Sequence, residues 1–401
     1  MKKIKMLFVL IIAGSGGVER SLVNLLKNID RDTYDCDVVL LKKEGAFLSE
    51  IEEQAEVYEM ELDEIYKTYL MTENIPSLRE AKSNNNLLKA IFLNIIHQMN
   101  RVTKKIFHKN TNLFFIYNKI KNIEKDYDIV IDFMGYASFS TYYASKIGRH
   151  RVTWIHEQRI TSHYRELRSC YNKFELICPV CTECAKKYLE KFPEDADKVK
   201  VIQNLIDIDT IEALSKEEPS IDYFKEGMVF VSVGRLTKQK SFDKAIEAAK
   251  IMKEAGYKFK WIIIGEGDEK QYLEEMIKEN NLENMVILHG FDRNPYSYMK
   301  NAYIYVQTSI AEGKCTTISE AVLLGKAVVT TDVAGTEEQL CEGKGGIIVS
   351  YDSQEIASAL MKLMDNPEER EKFERFNSGA TAFNNVEIYR FNKYIGDLVN
   401  N

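Results

Sequence analysis

The stretch MVFVSVGRLTKQK, residues 228–240, carries the pattern that decides the fold. Its first six residues, of which only Ser232 is polar, form an apolar run that is typical of a strand buried in a parallel sheet. A glycine and three basic residues, Arg235, Lys238 and Lys240, follow where the strand has to end and a helix has to begin. Runs of this kind that alternate with helical stretches predict right-handed crossovers and a parallel sheet.

The same rhythm extends along the chain in both directions. In the second half, the predicted strands are Met228–Val233, Phe259–Ile264, Met285–His289, Tyr303–Gln307, Ala327–Thr331 and Gly346–Val349. In the first half, they are Ile4–Ile12, Cys36–Leu41, Asp128–Phe133, Arg151–Ile155, Leu176–Val180 and Val199–Gln203. Two such sets predict an α/β chain of two Rossmann-like, doubly wound domains that face each other across a cleft, with ligands at the carboxyl ends of the strands.

We place the domain boundary after residue 205, so residues 1–205 form an N-terminal domain and residues 206–385 a C-terminal domain. Residues 60–125 contain no clear strand and predict a helical insertion in the first domain. Within this insertion apolar residues recur at helical spacing, at Leu88, Ile91, Phe92, Ile95, Met99, Val102 and Ile106.

Composition favours an ordinary globular protein, with 45% hydrophobic and 29% charged residues. No apolar run approaches the ~20 residues of a membrane span, and we interpret Met1 to Ala13 as a first strand and not as a signal peptide. The seven cysteines then suggest a reducing compartment. Cys178, Cys181 and Cys184 have CxxCxxC spacing, but the fourth cysteine of an iron–sulfur site is missing, so we expect structural thiols.

The net charge of −7 hides an excess of basic residues between Arg79 and Lys125, where ten Lys and Arg residues accompany two acids. Basic residues beside an anionic lipid surface contribute up to ~1 kcal/mol each. The stretch therefore predicts peripheral contact with an anionic membrane. A solvated helix face is the alternative, and nucleic acid is disfavoured because no recognised module accompanies the charge.

Two acidic residues, Glu312 and Glu320, lie eight positions apart in the run SIAEGKCTTISEA, residues 309–321. A helix is predicted from about Thr316 to Leu324, so the first carboxylate lies in a turn and the second within the helix. Full helix would separate them by roughly 12 Å, whereas the two carboxylates of a glycosidase stand roughly 5 to 9.5 Å apart. The spacing favours two carboxylates that hold different parts of one elongated ligand.

Glycine-rich and basic turns follow several of the predicted strands. Gly16 and Gly17 follow the first strand and open a helix, whose amino terminus favours anions, although a tight turn needs glycine anyway. The dinucleotide fingerprint stays incomplete because Arg20 stands in place of its third glycine. Arg235 and Lys240 suit a diphosphate, with a solvated basic turn as the alternative.

Three further sites are candidates for ligand contacts. Gly290 and Phe291 follow a strand and offer a backbone edge and a flat apolar surface to a nucleobase. The loop Gly313-Lys314-Cys315-Thr316 points its N–H groups at the start of a helix, where phosphate or sugar hydroxyls bind well. His156 also follows a predicted strand, where histidines often have structural roles.

These motifs resemble those of the retaining glycosyltransferases of family 4, which have the GT-B fold and belong to glycosyl transferases group 1. The resemblance rests on the Glu-x7-Glu register of Glu312 and Glu320, the Gly-Arg-Leu-x-x-x-Lys motif of residues 234–240, and the turns at residues 16–17 and 265–267. Two departures stand out. Ser241 occupies a usual glycine position and is expected to change the turn while keeping the charge, and Cys315 replaces a second glycine.

The resemblance implies a role for each matching residue. Glu312 would meet the donor sugar, Glu320 the nucleotide ribose, and His156 the donor sugar from the first domain. The remaining donor-binding residues it implies are Gly16, Gly17, Arg235, Lys240, Gly290, Phe291, Gly313, Lys314, Cys315 and Thr316. It also implies that a final helix at about 386–401 crosses back to complete the first domain.

We therefore expect a retaining, hexosyl-type glycosyltransferase of bacterial surface polysaccharide or glycolipid synthesis, such as that of capsule or lipopolysaccharide. The donor would be a UDP- or GDP-sugar and the acceptor a glycan or a lipid-linked glycan. No cofactor or metal is expected, since no Asp-x-Asp motif stands at a strand end. The location would be cytoplasmic, with peripheral contact at the inner face of the membrane.

Three other functions stay open. The first is a non-catalytic GT-B subunit that binds a glycan or a partner, the second a dinucleotide oxidoreductase, and the third an inverting GT-B enzyme such as an epimerase. Turnover of a sugar nucleotide separates the first from a transferase. The incomplete glycine fingerprint disfavours the second, and the Glu-x7-Glu register disfavours the third.

Overall fold

The computed structural model describes residues 3–14, 16–72, 74–75, 86–120, 125–135, 137–220, 224, 227–378 and 383–400. The chain divides into two compact units. Unit 1 comprises Met1–Asn204 together with Glu387–Asn401, and unit 2 comprises Leu205–Val386. Each unit is built around its own parallel sheet of six strands.

The sheet of unit 1 has the strand order β3-β2-β1-β4-β5-β6. Its strands are β1 (Ile4–Leu10), β2 (Tyr34–Leu40), β3 (Glu56–Glu59), β4 (Ile129–Asp132), β5 (His150–Ile155) and β6 (Leu176–Pro179). Strands β1 and β4 are neighbours, with Val9 opposite Asp132. The chain therefore changes direction across the sheet between these two strands, which is the switch point where open α/β sheets bind ligands.

Helices connect the strands of unit 1. They are α1 (Gly17–Asn28), α2 (Leu48–Glu52), α3 (Glu64–Thr72), α4 (Leu87–Phe107), α5 (Asn112–Tyr117), α6 (Ser138–Ala144), α7 (Ser162–Glu166), α8 (Arg168–Tyr171) and α9 (Thr182–Lys191), followed by a 3₁₀ turn (Pro193–Asp195). Helices α3, α4 and α5 fall in the segment 60–125. Of the basic stretch Arg79–Lys125, residues Arg79, Lys82 and Lys121 lie outside the described residues.

Two features of the first sheet differ from the sequence prediction. Strand β3, with the sequence EVYE, was missed because it is a short edge strand whose residues are exposed or half-buried, so it lacks an apolar run. The predicted strand Val199–Gln203 is wrong. It forms a single isolated bridge between Val199 and Ile177.

Unit 2 repeats the same topology, with the order β12-β11-β10-β7-β8-β9. Its strands are β7 (Val229–Val233), β8 (Lys260–Ile264), β9 (Val286–Gly290), β10 (Ile304–Gln307), β11 (Val328–Thr331) and β12 (Gly346–Val349). Its helices are α10 (Ile208–Leu214), α11 (Phe242–Glu254), α12 (Lys270–Glu279), α13 (Pro295–Asn301), α14 (Thr316–Leu323), α15 (Thr336–Gln339), α16 (Ser353–Asp365) and α17 (Pro367–Asn377).

All six strands predicted in the second half are confirmed, because a strand that is covered on both faces is apolar throughout its length. Strands β7 and β10 pair at the switch point, with Val231 opposite Tyr305. Polar groups inside the core are paired: Trp261 Nε1 donates to Ser232 Oγ at 2.9 Å, and Ser232 Oγ donates to the carbonyl of Val306 at 2.7 Å.

The last helix, α18 (Phe383–Asn400), packs on unit 1 through its final turns. Phe391 is fully buried and lies edge-on to Tyr34, with ring centroids 5.9 Å apart. Glu387 is also buried, and its carboxylate accepts a hydrogen bond from the backbone N–H of Gln203 at 2.9 Å.

The cysteine run of unit 1 is buried. The Sγ of Cys181 accepts a hydrogen bond from the backbone N–H of Cys184 and so caps α9. Among the described residues, none of the helices is both long enough and apolar enough to pass through a bilayer.

Candidate functional site

The candidate site lies at the carboxyl edge of the unit 2 sheet, where β7 and β10 are neighbours. The loop of residues 234–241 follows β7 and the loop of residues 308–315 follows β10. Hydrogen bonds join the two loops: Ile310 N–H donates to Gln239 O at 2.9 Å, and Gln239 Nε2 donates to Ala311 O at 2.9 Å. The strand order therefore brings together two segments that lie about seventy residues apart in the sequence.

An ion pair between Lys240 and Glu312 occupies the junction of these loops. Lys240 Nζ lies 2.7 Å from Glu312 Oε1, and the two side chains are 18% and 10% exposed. Ser309 Oγ donates to the same oxygen at 2.7 Å. Two of the residues singled out from the sequence thus contact each other directly, with opposite charges.

The electrostatics of the pair depend on its neighbour Cys315, whose Sγ lies 3.7 Å from Lys240 Nζ. Burial would lower the pKa of Lys240, but its contact with the Cys315 thiol and its attraction to the Glu312 carboxylate raise it above its usual range. Burial raises the pKa of the Cys315 thiol, so the thiol is neutral at physiological pH. The negative charge that faces Lys240 is therefore that of Glu312.

A closed ring of hydrogen bonds holds the pair in place. Gln307 Nε2 donates to Ser309 Oγ at 2.8 Å, Thr317 Oγ1 donates to Gln307 Oε1 at 3.3 Å, and Thr317 lies 3.2 Å from Cys315 Sγ. The members of the ring, in order, are Lys240, Glu312, Ser309, Gln307, Thr317 and Cys315. A ring of this kind fixes the carboxylate before any ligand arrives.

Gln307, Ser309 and Thr317 were not predicted from the sequence. The available signal was the change from apolar to polar residues at the end of β10, where the buried triplet Gln307-Thr308-Ser309 follows an apolar strand. Buried polar side chains need partners. Three of them in a row at a strand end therefore indicate a network.

Ser241 lies in the left-handed conformation, with φ of 49°. This region favours glycine, so the serine keeps the backbone conformation that a glycine would adopt and does not impose a different turn. Its side chain is buried and donates to Lys238 O at 2.7 Å, while Tyr351 Oη lies 3.0 Å from its Oγ. Thr308 Oγ1 donates to the Ser241 carbonyl at 2.9 Å.

Close backbone contacts require glycine along the same edge. A Cβ on Gly265 would lie 1.9 Å from the carbonyl oxygen of Gly234, and one on Gly267 would lie 2.3 Å from that of Leu236. Beside this edge the side chain of Arg235 is exposed. Phe291, after Gly290 at the end of β9, is 68% exposed.

The second glutamate, Glu320, lies in α14 and is buried. The helix begins at Thr316, as predicted, and Gly313, Lys314 and Cys315 before it are buried. Gln339 Nε2 donates to the Cys315 carbonyl at 2.7 Å. This hydrogen bond holds the loop between the two glutamates against α15.

The predicted residues of unit 1 occupy the corresponding edge of the first sheet. Gly16 caps α1, and a Cβ there would lie 2.7 Å from Glu19 Oε2, so the helix already has a carboxylate beside its amino terminus. His156 follows β5. Its Nε2 lies 2.8 Å from the carbonyl oxygen of Phe133, and burial lowers the pKa of His156 to about 4. The ring is neutral at physiological pH, and its role toward a donor stays a prediction.

About half of the chain is similar in sequence to known proteins. An uncharacterized glycosyltransferase of Methanocaldococcus jannaschii is 34% identical over 203 residues, which are 47% of this chain and 50% of that protein. The N-acetylgalactosamine-N,N'-diacetylbacillosaminyl-diphospho-undecaprenol 4-alpha-N-acetylgalactosaminyltransferase of Campylobacter jejuni subsp. jejuni serotype O:2 is 30% identical over 55% of this chain and 59% of that protein. The chain thus spans about half the length of these curated relatives.

Solved structures match over the full length. A glycosyltransferase from Rickettsia africae superposes with a TM-score of 0.72 at 17% identity, over 100% of both chains. HepE of Anabaena in complex with UDP superposes with a TM-score of 0.69 at 21% identity, over 99% of this chain and 100% of that one. Residues 215–378 match the family model of glycosyl transferases group 1. The chain has the GT-B fold, and residues 215–378 of its second unit are similar to glycosyl transferases group 1.

Proposed function

We propose that this chain is a retaining glycosyltransferase that takes a hexose-type sugar from a UDP- or GDP-sugar and passes it to a glycan or lipid-linked acceptor. The observation that carries the proposal is the contact of Lys240 with Glu312 at the switch point of unit 2, inside the segment that matches group 1. Opposite charges meet there at the edge where a nucleotide ligand is expected.

Binding of the donor exchanges the partner of Lys240. A diphosphate carries two negative charges and offers more acceptor oxygens than one carboxylate, so the ammonium of Lys240 turns from Glu312 to the phosphates. Arg235 stands in the same loop with an exposed side chain and adds its planar fork to the same anion. Together, the two cations stabilise the charge that grows on the departing diphosphate, which is usually the largest catalytic contribution.

The exchange also frees Glu312. Its carboxylate stays fixed by Ser309 and becomes available to accept hydrogen bonds from sugar hydroxyls. Glu320 in α14 holds the ribose of the same ligand. Departure and attack then occur on one face of the sugar, and the leaving phosphate accepts the proton of the acceptor.

We infer the ligand classes from the relatives. Crystal structures of HepE contain UDP and UDP-glucose, which supports a nucleotide-sugar donor. The Campylobacter relative is named for a diphospho-undecaprenol substrate, and a Staphylococcus aureus relative for poly(ribitol-phosphate). These names support an acceptor that is a surface glycan or is linked to lipid, and with it a cytoplasmic protein that contacts the inner face of the membrane.

We propose that the reaction needs no divalent metal, because Arg235 and Lys240 supply the positive charge that a metal supplies elsewhere. Retention is tested by NMR of the product anomer. Addition of EDTA to a turnover assay tests the metal, and a requirement for added magnesium would contradict this part of the proposal.

The decisive experiment incubates the purified protein with UDP-glucose and with GDP-mannose and measures both the thermal shift and the release of nucleoside diphosphate. A hundredfold excess of donor over its dissociation constant stabilises the protein by ~2.7 kcal/mol, so the preferred base is identified by its shift. Lys240→Ala should abolish the shift, whereas Lys238→Ala, an exposed lysine of the same loop, should keep it. Binding without any turnover would favour a non-catalytic subunit, and neither binding nor turnover with any nucleotide sugar would sink the proposal.

A further inference from the structure

Helix α4 has apolar residues on two opposite faces. Its inner face packs into a small core with α3 and α5, where Ala90, Leu93 and Ile96 are buried against Tyr69 and Ile116. This contact fixes the helix on unit 1. The second apolar face is therefore not needed to hold the helix in place.

The second face, which we call the outer stripe, points to solvent. Its side chains are between 41% and 82% exposed and recur every three or four residues, at Leu88, Ile91, Ile95, Met99, Val102 and Ile106. They follow one line of about 27 Å along the helix. A single exposed apolar residue is ordinary, but a continuous row of this length marks an interaction surface.

The charged side chains of helix α4 itself are all basic. Helix α4 contains no acidic residue, and Lys104 and Lys89 are paired with Glu166 and Asp63 of neighbouring segments. Arg101 and Lys105 are exposed and make no ion pair among the described residues. An apolar row flanked by exposed cations is the pattern of helices that lie in the interface of an anionic bilayer.

A cavity of about 430 Å³ opens beside the outer stripe. Met99 of the stripe and Phe114 form part of its wall, and Lys109, Lys146 and Lys173 supply three cations, so we call it the lysine cavity. One acidic residue, Glu166, also lines it, and its carboxylate lies 3.4 Å from Lys104 Nζ. Burial and the neighbouring Lys146 lower the pKa of Lys173.

The cavity also contains an unsatisfied acceptor. The amide oxygen of Asn110 is buried without a hydrogen-bond partner among the described residues. A hydroxyl-bearing, anionic head group would meet both needs. Lys146 follows α6 and precedes β5, and Lys173 follows α8 and precedes β6, so the cavity lies at the amino-terminal edge of the sheet, opposite to the loops that carry His156.

We propose that the outer stripe and the lysine cavity form one docking surface for an anionic phospholipid bilayer, in which the stripe lies among the acyl chains at the interface and the lysines bind a lipid phosphate. This docking surface is a specific form of the membrane contact in the proposed function, and its purpose rests on that function. Its geometry does not depend on the proposed function. A second copy of the chain is a poorer occupant, because a symmetric contact through the stripe brings Arg101 and Lys105 close to their own counterparts.

The test is flotation of the full chain with vesicles of phosphatidylcholine alone and of phosphatidylcholine mixed equally with phosphatidylglycerol. We expect binding to the mixed vesicles and little to the neutral ones. At about 1 M salt, where the Debye length is ~3 Å, binding should weaken but persist in part because of the stripe. The pair Ile95→Glu and Val102→Glu should lower the partition coefficient by at least about tenfold, and Lys146→Gln with Lys173→Gln should remove the preference for the anionic lipid.

Controls separate docking from folding and from catalysis. Tyr272→Glu in α12 of unit 2 changes a 50% exposed aromatic residue and should float like the parent. Thermal unfolding checks that each variant folds, and release of UDP from UDP-glucose reads out unit 2 independently of lipid. Failure of the parent chain to bind mixed vesicles, or equal flotation of the Ile95 and Val102 variant, would overturn the docking surface even with full donor turnover. Self-association of the parent that this variant abolishes would overturn it too and would assign the stripe to a dimer.

Discussion

The two units have the same strand order but bury different chemistry at the same place. In unit 2, the loops after β7 and β10 bring an ammonium and a carboxylate into contact, Lys240 with Glu312. In unit 1, the end of β4 buries the carboxylate of Asp132, and neutral groups surround it. These donors are the backbone N–H of Gly135 and the hydroxyls of Ser140, Thr141 and Thr153, at 2.7 to 3.2 Å.

This difference separates a fixed site from an exchangeable one. Burial raises the pKa of Asp132. Its four hydrogen-bond donors are short side chains and one backbone N–H, so none of them can easily move away from the carboxyl group to bind a ligand. In unit 2, the partner of Glu312 is a lysine on a flexible stem, which a diphosphate can attract. With the same topology, the carboxyl edge of the unit 1 sheet therefore contains a fixed hydrogen-bond network. The carboxyl edge of the unit 2 sheet contains an ion pair that a ligand can replace.

The largest effect that tests this distinction is expected for Lys240→Ala. Loss of a cation that faces the departing diphosphate should lower turnover by roughly 10²–10³. The variant also leaves the carboxylate of Glu312 largely buried and unpaired, which should cost about 3 kcal/mol of unfolding free energy. Initial-rate assays and urea denaturation measure the two effects separately.

The matched control removes both charges. Lys240→Met combined with Glu312→Gln should recover most of the lost stability, since no buried charge is left without a partner, while turnover stays low. If this double variant were as unstable as Lys240→Ala, the ion pair would not be the source of the stability change.

A second prediction concerns the exposed cation of the same loop. Arg235→Ala should lower turnover by about 10² with an unchanged free energy of unfolding, because the side chain is exposed. Lys238→Ala, which is equally exposed, should change neither quantity. Near-full activity of Arg235→Ala would remove Arg235 from the diphosphate site and leave Lys240 as its main cation.

The third prediction concerns the backbone that presents Lys240. Ser241→Val should lower the free energy of unfolding by about 2 kcal/mol, because a β-branched residue tolerates the left-handed conformation poorly and the hydrogen bond to Lys238 O is lost. Ser241→Gly should change it by less than about 1 kcal/mol, since relief of strain offsets the lost hydrogen bond. Equal losses in the two variants would show that the side-chain contacts matter and that the conformation does not.

The sequence specified the second sheet better than the first for a physical reason. The six strands of unit 2 are apolar runs with helices between them, and this pattern predicts a buried parallel sheet. Strand β3 of unit 1 lies at an edge and has the sequence EVYE, with a charged residue at each end and no apolar run, so it could not be recognised as a strand from its composition. Helical spacing predicted the apolar stripe of α4 but not whether that stripe is buried or faces solvent. The spacing of apolar residues shows that they share one side of a helix, and it does not show what that side packs against.

The candidate site shows a similar limit. Lys240 and Glu312 could be named from their positions after predicted strands and from the family resemblance. Their contact could not, because it depends on which strands are neighbours in the sheet. Gln307, Ser309 and Thr317 carry no motif of their own, and their importance follows from being buried together.

The smallest predicted effect concerns pH and again separates the units. Burial lowers the pKa of both His156 and His163 in unit 1 from 6.5 to about 4. Between these two values the unfolded chain binds protons that the folded chain does not, so the stability of unit 1 should be constant above pH 6.5 and fall as the pH is lowered through this window. Allowing for the partial exposure of both rings, we expect a loss of about 1 kcal/mol for each histidine between pH 7 and pH 5.

Each unit contains one of the two tryptophans, and both are buried, Trp154 in unit 1 and Trp261 in unit 2. Fluorescence of a Trp261→Phe variant therefore reports the unfolding of unit 1 by denaturant at each pH. His163→Gln in that background should reduce the pH dependence by about half, because one of the two proton-binding groups is removed from the unfolded state. A pH dependence that survived the loss of both histidines would have to arise from other titratable groups of unit 1, with Asp132, whose raised pKa acts in the opposite direction, excluded as its source.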